Sequence, residues 1–212
     1  MAAKESLARR ITRCALVAGF VLLPLAAAGT AVARKSVTVD EFQMLPHGYG
    51  ILRTGSFHLA GDSPPLPDVI SALPMLAVAP RLDVAPLATY LSPWQVGYQF
   101  MQENRDHYHY YFMWARIVSL TFLGLTCFMT YVLSRRLYGD RAAFLSMLAA
   151  ACSPNLLAHG ALVTHDIYLA ATVLIALWAV DRILMKPDWK NAAFLGVALL
   201  TSLRQSGSPP LP

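Results

Sequence analysis

Between Val39 and Leu66 the chain reads VDEFQMLPHGYGILRTGSFHLAGDSPPL, and this stretch gathers side chains able to do chemistry. Adjacent carboxylates, Asp40 and Glu41, open it, and His47, Tyr49 and Arg53 follow. A carboxylate can take a proton from a hydroxyl, and an arginine can meet an anion such as a phosphate with two parallel hydrogen bonds. The stretch begins a few residues after a long apolar run, where a membrane helix would meet water. Acids, His, Tyr and Arg at that depth read as a site rather than as a tether. Further along, Arg116 lies near the start of another apolar run, and His159, His165 and Asp166 fall in a segment, 155–166, that contains no Lys or Arg.

Each of these residues also has a plain structural reading. Adjacent acids suit the start of a helix, where a cap and the helix dipole favour them, and Asp166 could cap the helix it precedes. Arg116 could snorkel at a bilayer boundary. His159 and His165 stand six apart, not at the i,i+4 spacing that places two ligands on one helical face, so no metal set is indicated. His165 and Asp166 remain metal ligands by residue type alone, and a divalent cation beside Asp40 is the one cofactor these acids leave open. His107 and His109 sit within a tyrosine run and read as interfacial. Cys14, Cys127 and Cys152 fall inside apolar runs without paired spacing and read as packing residues.

The elements that must position these groups are membrane helices. The 212 residues are 56% hydrophobic and 14% charged, with a mean hydropathy of +0.47, against about 25% charged for a soluble domain. The net charge of +5 does not point to nucleic acid, because the basic residues cluster at the ends of apolar runs with no aromatic-basic face. The expectation is an all-α polytopic membrane protein with four to five spans and a long first external loop.

Residues 1–33 supply a basic start and a first apolar run, Ile11 to Ala33. Ala31-Val32-Ala33 resembles a signal-peptidase site, but the run reaches the ~20 residues needed to cross a bilayer, which favours a retained helix. Residues 34–111 form the external loop. Within it, Asp40 to Thr54 is spaced as a helix lying flat, with Phe42, Leu45, Tyr49 and Leu52 on one side. Pro64-Pro65-Leu66 is expected to stop helix and fix an extended segment. Val69 to Val78 is too short to cross, and Pro80, Pro86 and Pro93 break the chain.

Residues 112–201 hold the remaining spans, expected near 112–133, 142–157 and 167–184, with a fifth beginning at Ala192 that loses its apolar character. Residues 202–212 are a polar, proline-rich tail. Basic residues flank the N-terminus and the 135–141 and 182–190 turns. By the positive-inside rule the N-terminus is cytoplasmic, and the loops 34–111 and 155–166 share the outer side.

The D-E pair after the first span, the G-Y and R-T-G-x-F-x-L steps and P-P-L resemble family 39 glycosyltransferases. These are the dolichyl-phosphate-mannose protein mannosyltransferases and their bacterial relatives, including the aminoarabinose lipid A transferases. Arg116-Ile117-Val118-Ser119, Arg135-Arg136-Leu137-Tyr138-Gly139, Ser153 to Gly160 and Leu162 to Asp166 look like the same family in the same order. The resemblance implies the N-terminal part of a GT-C-type fold and a polyprenyl-phosphate-linked sugar donor. The acceptor would be an extracytoplasmic hydroxyl on a glycan, lipid or protein.

In that family the catalytic carboxylate comes from the D-E pair, so the carry-over falls on Asp40 as general base with Glu41 second. Arg53, His47, Tyr49, Asp166 and Arg116 are the expected substrate contacts, with the arginines facing phosphate. Family members usually continue through many more spans, so an N-terminal piece, inactive alone, is expected. The competing expectations are a small polytopic transporter or assembly subunit, which charges buried inside a span would favour, and a binding module built on the external loop. That loop's pattern is too poor to promise a core of its own.

Overall fold

The computed structural model describes residues 7–57, 65–84 and 92–205. Pro64, Pro86 and the tail from Ser206 lie outside the described residues. Within them the chain is helical throughout: α1 Leu7–Val32, α2 Val39–Thr54, α3 Pro65–Ala72, α4 Met75–Val78, α5 Pro93–Glu103, α6 Tyr108–Tyr138, α7 Asp140–Ala151, α8 Pro154–Gly160, α9 His165–Met185 and α10 Trp189–Gln205. The all-α polytopic architecture expected from composition is the one observed.

Three helices, α1, α6 and α9, are long and apolar enough to cross a membrane. The expected third span is a bent pair, α7 and α8, meeting at 60°, and counts as a fourth crossing only if the two are taken together. Pro154 explains the bend: it disfavours helical geometry at Ser153, which is extended, and then opens α8 from a first-turn position. The fifth run does form a helix, α10, of 17 residues, somewhat short of the ~20 a perpendicular crossing needs. Asp188 precedes α10 and accepts a hydrogen bond from the Asn191 N–H at 2.8 Å. That bond, with Lys186 beside it, holds its carboxyl below the usual carboxylate range.

α6 is the hub. It packs against α1, α7 and α9, while α2 packs against α3 and α5, and α10 against α9. The stretch between α1 and α6, expected to be external, has more order than its pattern promised. Met44, Leu45 and Tyr49 of α2, Ala72, Met75, Leu82, Val96 and Phe100 are buried together with Phe112 and Ala115 of α6 and with Val163. The core is therefore shared with the spanning part, which carries the apolar surface the loop lacks by itself. Complete burial of a side chain such as Leu45 or Phe100 contributes roughly 1.5–3 kcal/mol.

Two expectations about this stretch change. Pro65 does not fix an extended segment but opens α3, since its locked φ suits a first helical position and its missing N–H is one that would have been unpaired there. Pro93, expected as a break, stands at the start of α5, where the Ser92 side chain accepts from Gln95 N and the Gln95 side chain from Ser92 N. Pro93 again sits in the first turn.

α2 crosses α3 at Gly48. A Cβ there would collide with the backbone of Asp68 and Val69, atoms that cannot swing aside. Gly48→Ala should therefore push α3 off α2 and cost about 1–3 kcal/mol, the usual cost of overpacking. Thermal unfolding in detergent checks this, with Gly19→Ala, where an added Cβ meets nothing within 4 Å, as the change that leaves the midpoint unmoved or raised.

Candidate functional site

Thr38 starts α2 with a capping box, and this explains how the D-E pair divides. Glu41 stands at the third helical position, and its Oε2 accepts from Thr38 N and Thr38 Oγ1, both at 3.0 Å. That fixes the Glu41 side chain inward and leaves Asp40, about 100° away around the helix, exposed. Asp40 is not the N-cap.

Glu41 meets Arg116 of α6, and both are 0% exposed. Arg116 Nε and Nη2 donate to Glu41 Oε1 and Oε2, each at 2.7 Å, a bidentate fork. The remaining donors reach Val32 O at 2.8 Å, Lys35 O at 2.9 Å and Ser36 O at 2.8 Å, around the C-terminal end of α1. A guanidinium has five N–H donors, and all five are taken. Glu41 Oε1 also accepts from Val163 N, 3.0 Å away, just before α9.

One ion pair thus joins the end of α1, the start of α2, α6 and the approach to α9. Arg116, expected to face phosphate or to snorkel, has no donor left for either. Glu41, the second candidate acid, is enclosed by protein donors. The structure also brings the 38–41 and 163–166 segments to one end of the bundle, the juxtaposition the sequence reading required.

His47, expected at a substrate, is 1% exposed and turned into the fold. Its Nδ1 lies 2.6 Å from Asp68 Oδ2, and its Nε2 is buried without a hydrogen-bond partner among the described residues. Asp68 Oδ1 lies 2.7 Å from His165 Nε2. Asp68, 1% exposed, is therefore shared by imidazoles from α2 and α9. The sequence reading passed over Asp68, although a signal existed: it is the one charged residue between Pro65 and Pro80, and a lone acid in an apolar run is rarely buried unless paired.

Tyr49 is buried, its hydroxyl donating to Pro80 O at 3.2 Å and accepting from Arg53 Nη1 at 3.0 Å. The Arg53 guanidinium lies 5.6 Å from the Tyr49 ring centre while the residue stays exposed. Asp166 is exposed, its Oδ2 3.2 Å from His159 Nδ1, which also lies 3.1 Å from Thr164 Oγ1. His165 and Asp166, ligands by type, thus turn to different partners. No group of three or more His, Cys, Asp or Glu that could hold a metal ion occurs among the described residues.

The buried pair makes a quantitative expectation. Glu41→Gln or Arg116→Met alone leaves an unpaired partner in a closed site and should cost about 3–5 kcal/mol, whereas the double variant should cost clearly less than the two singles added. Folded yield and thermal midpoints of the three variants in one detergent give the coupling.

Comparison with known proteins adds one finding. A family model, dolichyl-phosphate-mannose-protein mannosyltransferase, matches residues 112–202, a little under half of the chain. No curated protein and no solved structure gives a significant match. The matched stretch runs from Phe112 in α6 into α10 and contains Arg116, His159, His165 and Asp166. Over residues 112–202, then, the chain resembles a family of membrane glycosyltransferases, that of the dolichyl-phosphate-mannose protein mannosyltransferases.

Proposed function

We propose that the protein is a membrane glycosyltransferase, or the N-terminal part of one, that moves a sugar from a polyprenyl-phosphate donor to an acceptor hydroxyl outside the cytoplasm. The family match over residues 112–202 carries this reading. The ion pair between Glu41 and Arg116 supports it by tying the acidic start of α2 to the matched stretch.

In this reading Asp40 is the general base. It accepts the proton of the acceptor hydroxyl as that oxygen bonds to the anomeric carbon. The bond from that carbon to the phosphate oxygen breaks, and polyprenyl phosphate leaves with the electron pair. Asp40 suits the task because it is the exposed member of the D-E pair, whereas every oxygen of Glu41 is already in use. Arg53 is the cation proposed to receive the phosphate, since among the described residues only one of its five donors is engaged, by Tyr49. Tyr49 and His47 then serve the substrate indirectly, Tyr49 by holding Arg53 and His47 through Asp68. Asp166, exposed beside His159, is proposed to contact the acceptor.

Removing a positioned base typically costs 10²–10⁴-fold in rate. Asp40→Asn in a chain active in sugar transfer should lower kcat by about that factor, with an unaltered thermal midpoint because the side chain is exposed. Transfer at the wild-type rate would remove Asp40 as the base.

The external placement of this end is tested separately. In a chain otherwise free of cysteine, Val39→Cys, at an exposed position, should react with a membrane-impermeant thiol reagent in intact cells. Leu137→Cys, exposed at the far end of α6, should be protected until the membrane is opened. The reverse pattern would put the acids on the cytoplasmic side.

A further inference from the structure

Among the described residues, the His165 side chain is joined to the fold through one ring nitrogen. Its Nε2 faces Asp68 Oδ1 at 2.7 Å, and the other oxygen of Asp68 faces His47 Nδ1 at 2.6 Å. A carboxylate can only accept, so each imidazole nitrogen turned toward Asp68 carries a proton. For a neutral His165 this selects one tautomer, N–H on Nε2 and a lone pair on Nδ1, as a buried carboxylate does for a catalytic imidazole.

The two histidines differ at their second nitrogens. That of His47 is closed off inside the protein. His165 has a side chain 21% exposed, and its Nδ1 has no partner among the described residues. It stands at the start of α9, two residues after Val163, whose N–H holds the Glu41 carboxylate next to Asp40. A fixed acceptor is thus presented at the same end of the bundle as the exposed acid.

We propose, building on the glycosyltransferase reading, that His165 Nδ1 accepts a hydrogen bond from a sugar hydroxyl. Asp68 is the positioning residue that sets its tautomer and direction, and His47 closes the other side of the carboxylate. The three residues come from α2, α3 and α9, so the arrangement exists only when those helices are packed. A purely structural clamp would need the Nε2 contact alone, and the two roles separate experimentally. Gln at position 165 can still donate to Asp68 from its amide nitrogen, but it offers no basic nitrogen outward. The hydroxyl belongs to the donor sugar or to a sugar acceptor, which present the same chemistry and differ in whose KM responds.

The test uses the full chain in lipid nanodiscs with ¹⁵N in the rings of its six histidines. The His165 signals are assigned by their loss in His165→Gln. The expected result is a protonated Nε2 and an unprotonated Nδ1 in the wild type, loss of that preference in Asp68→Asn, and movement of the Nδ1 resonance on addition of a methyl glycoside of mannose, glucose or galactose. A proton on Nδ1 in the wild type, or no movement with any of the three glycosides, overturns the proposal.

In a chain that transfers sugar, His165→Gln should raise the KM of one substrate by about five- to tenfold at nearly constant kcat, the loss of one neutral hydrogen bond. Unchanged constants overturn it as well. A glycoside shift that persists while no form of the chain, alone or continued through further spans, transfers sugar sinks the glycosyltransferase reading and leaves this sugar site standing.

Discussion

The ion pair between Glu41 and Arg116 is the constraint on which the end of the molecule that carries α2 depends. Taking two charges out of water costs several kcal/mol per ion, and mutual attraction repays it only when the remaining donors and acceptors are also met. Here they are met in full, by Thr38 and Val163 on the acid and by three backbone carbonyls on the base. The carbonyls of Val32, Lys35 and Ser36 come from the end of α1 and the turn behind it, where a cation also interacts favourably with the helix dipole. The pair's net contribution to stability is therefore modest, but its contribution to geometry is large. With α6 as the fixed member, it sets where α1 stops, in which direction α2 leaves and how closely the chain before α9 approaches.

From that anchor the rest of the stretch between α1 and α6 follows by apolar packing. α2 lays Met44, Leu45 and Tyr49 against the start of α6, and Gly48 lets α3 approach closely enough to bring Asp68 between His47 and His165. Asn104 fastens the chain after α4 by exchanging hydrogen bonds with the backbone of Arg81. Polar contacts from Glu41 and Asp68 reach the α9 end at two places, Val163 and His165. Two independent ties limit rotation of α2 and α3 over the spanning helices, which is what a surface holding Asp40 and Arg53 in fixed relation would need.

The three long helices were legible because some 20 successive apolar residues leave little alternative in a bilayer. The bend between α7 and α8 was legible only in part: Pro154 was visible, but the run around it is apolar enough to pass for a single thin span. α5 was missed because Pro80, Pro86 and Pro93 drew attention as breaks, although Ser92 and Gln95 carry the spacing of a capping box. The same signal at Thr38 and Glu41 would have shifted the cap away from Asp40. What no local pattern could supply was partnership across distance. Glu41 and Arg116 are 75 residues apart and Asp68 and His165 are 97 apart, and nothing in either neighbourhood specifies the other. A buried acid can be suspected from an apolar run, but its partner is decided by which helices pack.

The division of labour within the D-E pair also changes how substitutions there should be read. Neighbouring positions on a helix point about 100° apart, so a pair of acids at a membrane surface cannot turn both carboxylates the same way. One faces the fold and the other faces outward. Loss of activity on replacing Glu41 would follow from release of Arg116 and slackening of four elements at once, without Glu41 ever meeting a substrate. Loss on replacing Asp40 would have no such route, because among the described residues nothing leans on its side chain. The two residues are adjacent in sequence and similar in chemistry, yet one is built into the fold and the other stands exposed.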